Sequence, residues 1–97
     1  MALTLGPIGQ IAFNVANVDR AEKFYSETLG LRKLFRFGNL SFFDCAGVRL
    51  LLDQTDNPAQ IQGSPLYFRV ADIALARREL EAKGVVFVDR IHLIAPM

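Results

Sequence analysis

The chain has 97 residues, 52% of them hydrophobic, and eleven Lys and Arg against ten Asp and Glu give a formal net charge of +1. That length suits one small domain with a packed core, and a near-neutral chain without a basic stripe lacks the electrostatic footprint of a nucleic-acid binder. No apolar run approaches the roughly 20 residues that span a membrane; the opening MALTLGPIGQ has no basic n-region or long apolar h-region, so it is read as no signal peptide; and the single Cys45 excludes an internal disulfide and a multi-cysteine metal site.

Taken in chain order, Gln10–Val15 alternates polar and apolar residues, the period of a half-buried strand. Asn17 follows as an N-cap. Ala21, Phe24, Tyr25 and Thr28 then share a helix face, and Gly30 stands where a C-cap glycine belongs. Phe24 and Tyr25 read as helix residues packed on a sheet. Three strand signals come next: Leu31–Phe37, Leu40–Cys45 and Val48–Asp53, with Gly38-Asn39 and Ala46-Gly47 as tight hairpin turns. Phe35, Phe37, Phe42 and Phe43 crowd the first hairpin, and an even split between the two sheet sides is expected, one set core and the other a cavity wall or a dimer seam. Module one thus reads β-α-β-β-β over residues 9–53. Residues 54–64 (QTDNPAQIQGS) are polar, with a Pro and a Gly, and read as a linker.

Module two, residues 65–97, starts the same way. It offers a strand at Leu66–Val70, an Asx cap at Asp72, a helix whose Ile73, Ala76 and Leu80 share a face, Gly84, then strands at Val85–Arg90 and Ile91–Ala95. Arg77, Arg78, Glu79 and Glu81 read as a solvated face with i,i+4 partners. At an offset of 55 residues the modules align: Ile11 meets Leu66, Phe13 meets Phe68, Val15 meets Val70, Ala16 meets Ala71, Asn17 meets Asp72, Val18 meets Ile73 and Ala21 meets Ala76.

Two β-α-β-β-β modules in tandem resemble the vicinal oxygen chelate superfamily, which includes glyoxalase I, bleomycin resistance proteins, fosfomycin-modifying enzymes and extradiol dioxygenases. The stretch VANVDRAEKFYSETLGL is similar to the family's "V-x-D-x-x-x-A-x-x-F-Y-x-x-x-L-G-L", with Phe24, Tyr25, Leu29, Gly30 and Leu31 matching. The FYxxxLG segment is the specific part, and the likeness extends weakly over the whole chain. The resemblance implies an α+β fold: one glyoxalase/bleomycin-resistance-like domain over residues 1–97, its tandem βαβββ modules forming a curled mixed sheet around a cavity with the helices on the outer face. Two departures stand out. The matching end of module two would run past Met97, so the second module is incomplete, and the family's "D-P-x-G" turn is absent.

On that frame the strand period assigns sides. Ile11, Phe13 and Val15 face the helix, leaving Gln10, Ala12 and Asn14 for the cavity. Leu66, Phe68 and Val70 do the same, leaving Pro65, Tyr67 and Arg69. On the last strand of module one Arg49, Leu51 and Asp53 share one side and Leu50 and Leu52 the other, and the resemblance implies that the cavity lies on the Arg49 side. The family's enzymes hold a divalent metal with one residue on each of four matching strands. Gln10 stands at the only family-like ligand position; Leu51 and Pro65 occupy two others and cannot ligate, and a register slip would bring in Asp53 as a second ligand at most. No cofactor is therefore expected. The candidate ligand-binding residues are Gln10, Asn14, Arg49, Tyr67, Arg69 and His92, with Arg69 and Tyr67 suited to a flat or anionic ligand, or Arg69 paired to Asp44 or Asp53. His92, the only histidine, points into the cavity or to solvent, and Cys45 reads as a buried inert thiol. The expected function is a metal-free small-molecule binding module, cytoplasmic and homodimeric, the partner covering the edge that the short module leaves open. The alternatives are a metal-dependent lyase or dioxygenase of the same superfamily, or an inactive fragment.

Overall fold

Alternation decides the first sheet. In β1 (Gln10–Val15) Ile11, Phe13 and Val15 are half-buried while Gln10, Ala12 and Asn14 are exposed. In β4 (Val48–Gln54) Leu50 and Leu52 are buried and Arg49 is exposed. β1 lies parallel to β4, and β3 (Leu40–Cys45) joins β4 and β2 (Arg32–Phe37) antiparallel, for an open four-stranded mixed sheet in the order β1-β4-β3-β2. The computed structural model describes residues 3–61 and 65–87, and the chain divides into two compact units, Met1–Ser64 and Pro65–Met97.

In the first unit one sheet face carries α1 (Val18–Lys23). Its core is Val18 from the helix with Phe43, Leu50 and Leu52 from the sheet. Each such side chain contributes about 1.5–3 kcal/mol by leaving water. The helix start is tied down twice. Asn17 Oδ1 accepts from the Arg20 N–H at 3.0 Å, and Gln54 Oε1, at the end of β4, accepts from the Val18 N–H at 2.9 Å. Both satisfy donors that the first turn leaves without a partner.

The two hairpin turns fall at Gly38-Asn39 and Ala46-Gly47. Ala46 at φ 50 and Gly47 at φ 93 give the two positive angles of a type I′ turn. The phenylalanines do not divide evenly. Lys33 pairs with Phe43 but Phe35 with Phe42, so Leu34 is the extra residue of a β-bulge. The bulge turns Lys33 toward the helix, where it meets Glu22, while Phe35, on its hairpin side, keeps the register of the turn and stacks on Phe42 on the opposite face. Phe37 shares that face with Phe35 by the period of two, and Phe43 alone enters the core. The expected split of two and two becomes three and one.

After Lys23 the helix widens into a π-helical turn, Phe24–Thr28, closed by the Leu29 N–H on Phe24 O at 3.0 Å. The reason lies in the internal repeat. The caps Asn17 and Asp72 stand 55 residues apart, but the terminal glycines Gly30 and Gly84 only 54. The first helix holds one residue more than the second, and a π turn is how a helix houses a single extra residue. Phe24 is 41% exposed and meets Tyr25 edge-on at 5.7 Å, while Tyr25 packs toward Phe43 at 6.0 Å. Only Tyr25 of this pair packs on the sheet, since adjacent helical residues point about 100° apart.

In the second unit Asp72 Oδ1 caps α2 (Ile73–Ala82) through the Leu75 N–H at 3.0 Å. Ala76, Arg77 and Leu80 are half-buried, but Ile73 is exposed, a correction to the expected face. Arg77 lies over the Phe87 ring at 4.7 Å and pairs with Glu81 one turn on. Residues 65–70 and 85–87 form no strand, against the expected Leu66–Val70 and the start of Val85–Arg90. A strand exists only in a ladder, and no described residue of this unit offers it a second one. The rest of Val85–Arg90 and Ile91–Ala95 lies outside the described residues.

Candidate open-face binding site

The face of the first sheet opposite α1 is a set of cross-strand partners. Gln10, Arg49 and Asp44 form one row; Ala12, Leu51, Phe42 and Phe35 form the next; Asn14, Asp53, Leu40 and Phe37 form the third. Leu51 is at its centre, between Ala12 and Phe42. Phe35 is 47% exposed and Phe37 73%.

Four flat groups run in sequence across all four strands. The Gln10 side-chain oxygen accepts from Arg49 Nε at 2.8 Å. The Arg49 guanidinium carbon lies 5.3 Å from the centre of the Phe42 ring. Phe42 and Phe35 stack with centroids 4.3 Å apart and planes 20° from parallel. The guanidinium is thus held by a neutral amide and a ring, a cation–π contact. Asp44, directly across the ladder, directs its carboxylate to the Gly47 N–H at 3.2 Å instead.

Of the six residues expected to line a site, Gln10, Asn14 and Arg49 share this face. Asn14 is engaged by structure: its side-chain amide donates to the Gln60 carbonyl at 3.0 Å and holds the loop after β4. Tyr67, 89% exposed, and Arg69, also exposed, belong to the second unit. His92 lies outside the described residues. The pairing of Phe35 with Phe42 was within reach of the sequence, since counting back from the two-residue Gly38-Asn39 turn sets Phe37 against Leu40 and Phe35 against Phe42.

The residues present do not fit the divalent metal that the resemblance implies. The Gln10 oxygen is already used by a guanidinium, whose charge would repel a cation, and Leu51 has no donor. Among the described residues no group of three or more His, Cys, Asp and Glu is placed to hold a metal ion.

On the helix side a second polar cluster was missed in the sequence. Glu22 on α1 accepts from Lys33 Nζ at 2.7 Å, from Ser41 Oγ at 2.8 Å and from Arg36 at 3.0 Å. Arg36 also reaches Asp19 at 2.9 Å. Ser41 is fully buried, and its hydroxyl is satisfied by Glu22. Lys33 first, then Ser41 and Arg36, hold the Glu22 carboxyl down at about 2 against the opposing effect of burial. Two basic residues on β2 opposite one acid on the facing helix were the available signal. The cluster fastens α1 to the sheet and is turned away from the open face.

A family model described as the Glyoxalase/Bleomycin resistance protein/Dioxygenase superfamily matches residues 7–93. No curated protein matches the chain by sequence. Among solved structures, lactoylglutathione lyase from Agrobacterium tumefaciens is 26% identical with a TM-score of 0.65, over 84% of this chain and 73% of that one. A glyoxalase/bleomycin resistance protein/dioxygenase from Nocardioides is 18% identical with a TM-score of 0.71, over 91% and 68%. The bleomycin-binding protein of Streptomyces verticillus, solved with copper(II)-bleomycin, is 20% identical with a TM-score of 0.64, over 84% and 66%.

Proposed function

The chain belongs to the Glyoxalase/Bleomycin resistance protein/Dioxygenase superfamily, and from that membership we propose that it is a metal-free module binding a small, flat or anionic molecule on the open face of its first sheet. One observation carries the reading: Leu51, apolar, sits at the centre of a face whose flat groups run from Gln10 through Arg49 and Phe42 to Phe35. Stacked rings beside an oriented guanidinium suit a planar ligand with a negative end. Of the similar structures, one is named a lyase and another a bleomycin-binding protein; the face described here supports the binding role. The same reading makes the protein a cytoplasmic homodimer. Among the described residues β1 and β2 end the sheet as unpaired edges that a second copy can extend.

Metal analysis on the purified protein, with thermal-shift screening of flat and acidic compounds on the same sample, tests this. The reading expects substoichiometric metal, a dimer mass and stabilisation that follows RT ln(1 + [L]/Kd). Stoichiometric tightly held metal, with lyase or dioxygenase activity lost on chelation, would replace it with the enzyme reading.

A further inference from the structure

Charge on the open face is unevenly placed, and this gives the ligand a direction. At one end Arg32, Asp44, Arg49 and Gln10 follow each other across the four strands. Asp44 offsets one of the two arginines, and its carboxylate is engaged at the hairpin turn. Among the described residues the terminal nitrogens of Arg49 meet no carboxylate; the guanidinium is fixed through Nε by Gln10 and through its face by Phe42. A guanidinium held in this way keeps its fork of N–H donors ready for a carboxylate at little entropic cost. At the other end of the same strand stands Asp53, which repels an anion. Between them lie Leu51, Phe42 and Phe35, and Phe37 stands two strands away in the row of Asp53. The Arg49 guanidinium lies 5.3 Å from the Phe42 ring and that ring 4.3 Å from Phe35, so the run from the fork to the Phe35 ring stays within about 10 Å, the length of a two-ring aromatic acid.

We infer that the ligand class of this face is a planar aromatic monocarboxylic acid, its carboxylate on the Arg49 fork and its rings reaching over Phe35 toward Phe37. This rests on the binding role proposed above. A single net positive charge at the Arg49 end fits a monoanion better than a phosphate dianion. Gln10 is a positioning residue: its oxygen fixes the plane of the fork.

Calorimetric titration with 2-naphthoic acid and with its neutral isostere 2-naphthamide tests the inference on the intact chain. The acid is expected to bind at least tenfold more tightly than the amide. Arg49→Gln should abolish that preference, bringing the acid down to the affinity of the amide in the same variant. Arg49→Lys, which keeps the charge but not the fork, should retain only part of it. Circular dichroism of each variant confirms the fold, as an exposed arginine predicts. Equal binding of acid and amide by the unmodified protein would overturn the acid assignment and leave the binding role standing. Binding of neither would overturn both.

Discussion

Glu22 shows how one side chain couples the helix to the sheet. Its carboxylate gathers Lys33, Arg36 and the buried Ser41 hydroxyl, so replacing it takes the anion from Lys33 and from a buried donor and leaves Arg36 to Asp19 and the Gly38 carbonyl. Glu22→Gln should cost on the order of 2 kcal/mol at neutral pH, read by urea denaturation. The sign of the pH effect follows from the lowered pKa. The carboxyl falls from 4.5 to about 2 on folding, so its stabilisation is complete above pH 4.5 and is lost as pH drops toward 2. The unmodified protein should lose stability across that window, and Glu22→Gln should lose less. A residue at the opposite extreme is Ala46, held at φ 50 in the β3–β4 turn. Asn tolerates that region better than Ala, so Ala46→Asn should raise stability by about 0.5 kcal/mol and shift the urea midpoint without changing the slope.

Among the elements, the strands were largely legible and the way they face was legible where alternation is clean. β3 (Leu40–Cys45) has the bounds expected, and β2 and β4 differ by one residue at one end. Gln10 and Arg49 share one face; alternation separates Arg49 from Leu50 and Leu52, and the family resemblance is what chose its side for the cavity. Two things were hidden. The bulge at Leu34 has no Gly or Pro to mark it, so the turn of Lys33 toward Glu22 was not legible, whereas the three phenylalanines of the open face follow from alternation counted back from the Gly38-Asn39 turn. The π turn at Phe24–Thr28 is visible only as the one-residue difference between the two cap-to-glycine distances. Ladder formation in residues 65–70 was not legible from their alternation, because a strand needs a neighbour as well as a pattern. The exposure of Phe37 separates packing from function at this scale. Phe37→Ser should change stability by less than about 0.5 kcal/mol yet weaken binding of an aromatic probe severalfold by calorimetry. Asp72→Ala removes the α2 cap and should cost about 1 kcal/mol, seen as faster amide exchange across Ile73–Ala82.

For the whole molecule, family membership leaves open whether a given chain binds or catalyses, and the decision falls to the residues on the sheet. Here the position facing the middle of the open face is Leu51, and the donor beside it, Gln10, is occupied by Arg49. The account therefore stands on ligand binding that needs no metal. The most direct measurement is an amide chemical-shift titration of the chelator-treated protein with 2-naphthoic acid. Saturable shifts centred on Gln10, Phe42, Arg49 and Leu51, unchanged by added zinc, are the predicted result. Shifts that arise only once zinc is restored, or that spare this face altogether, would contradict it.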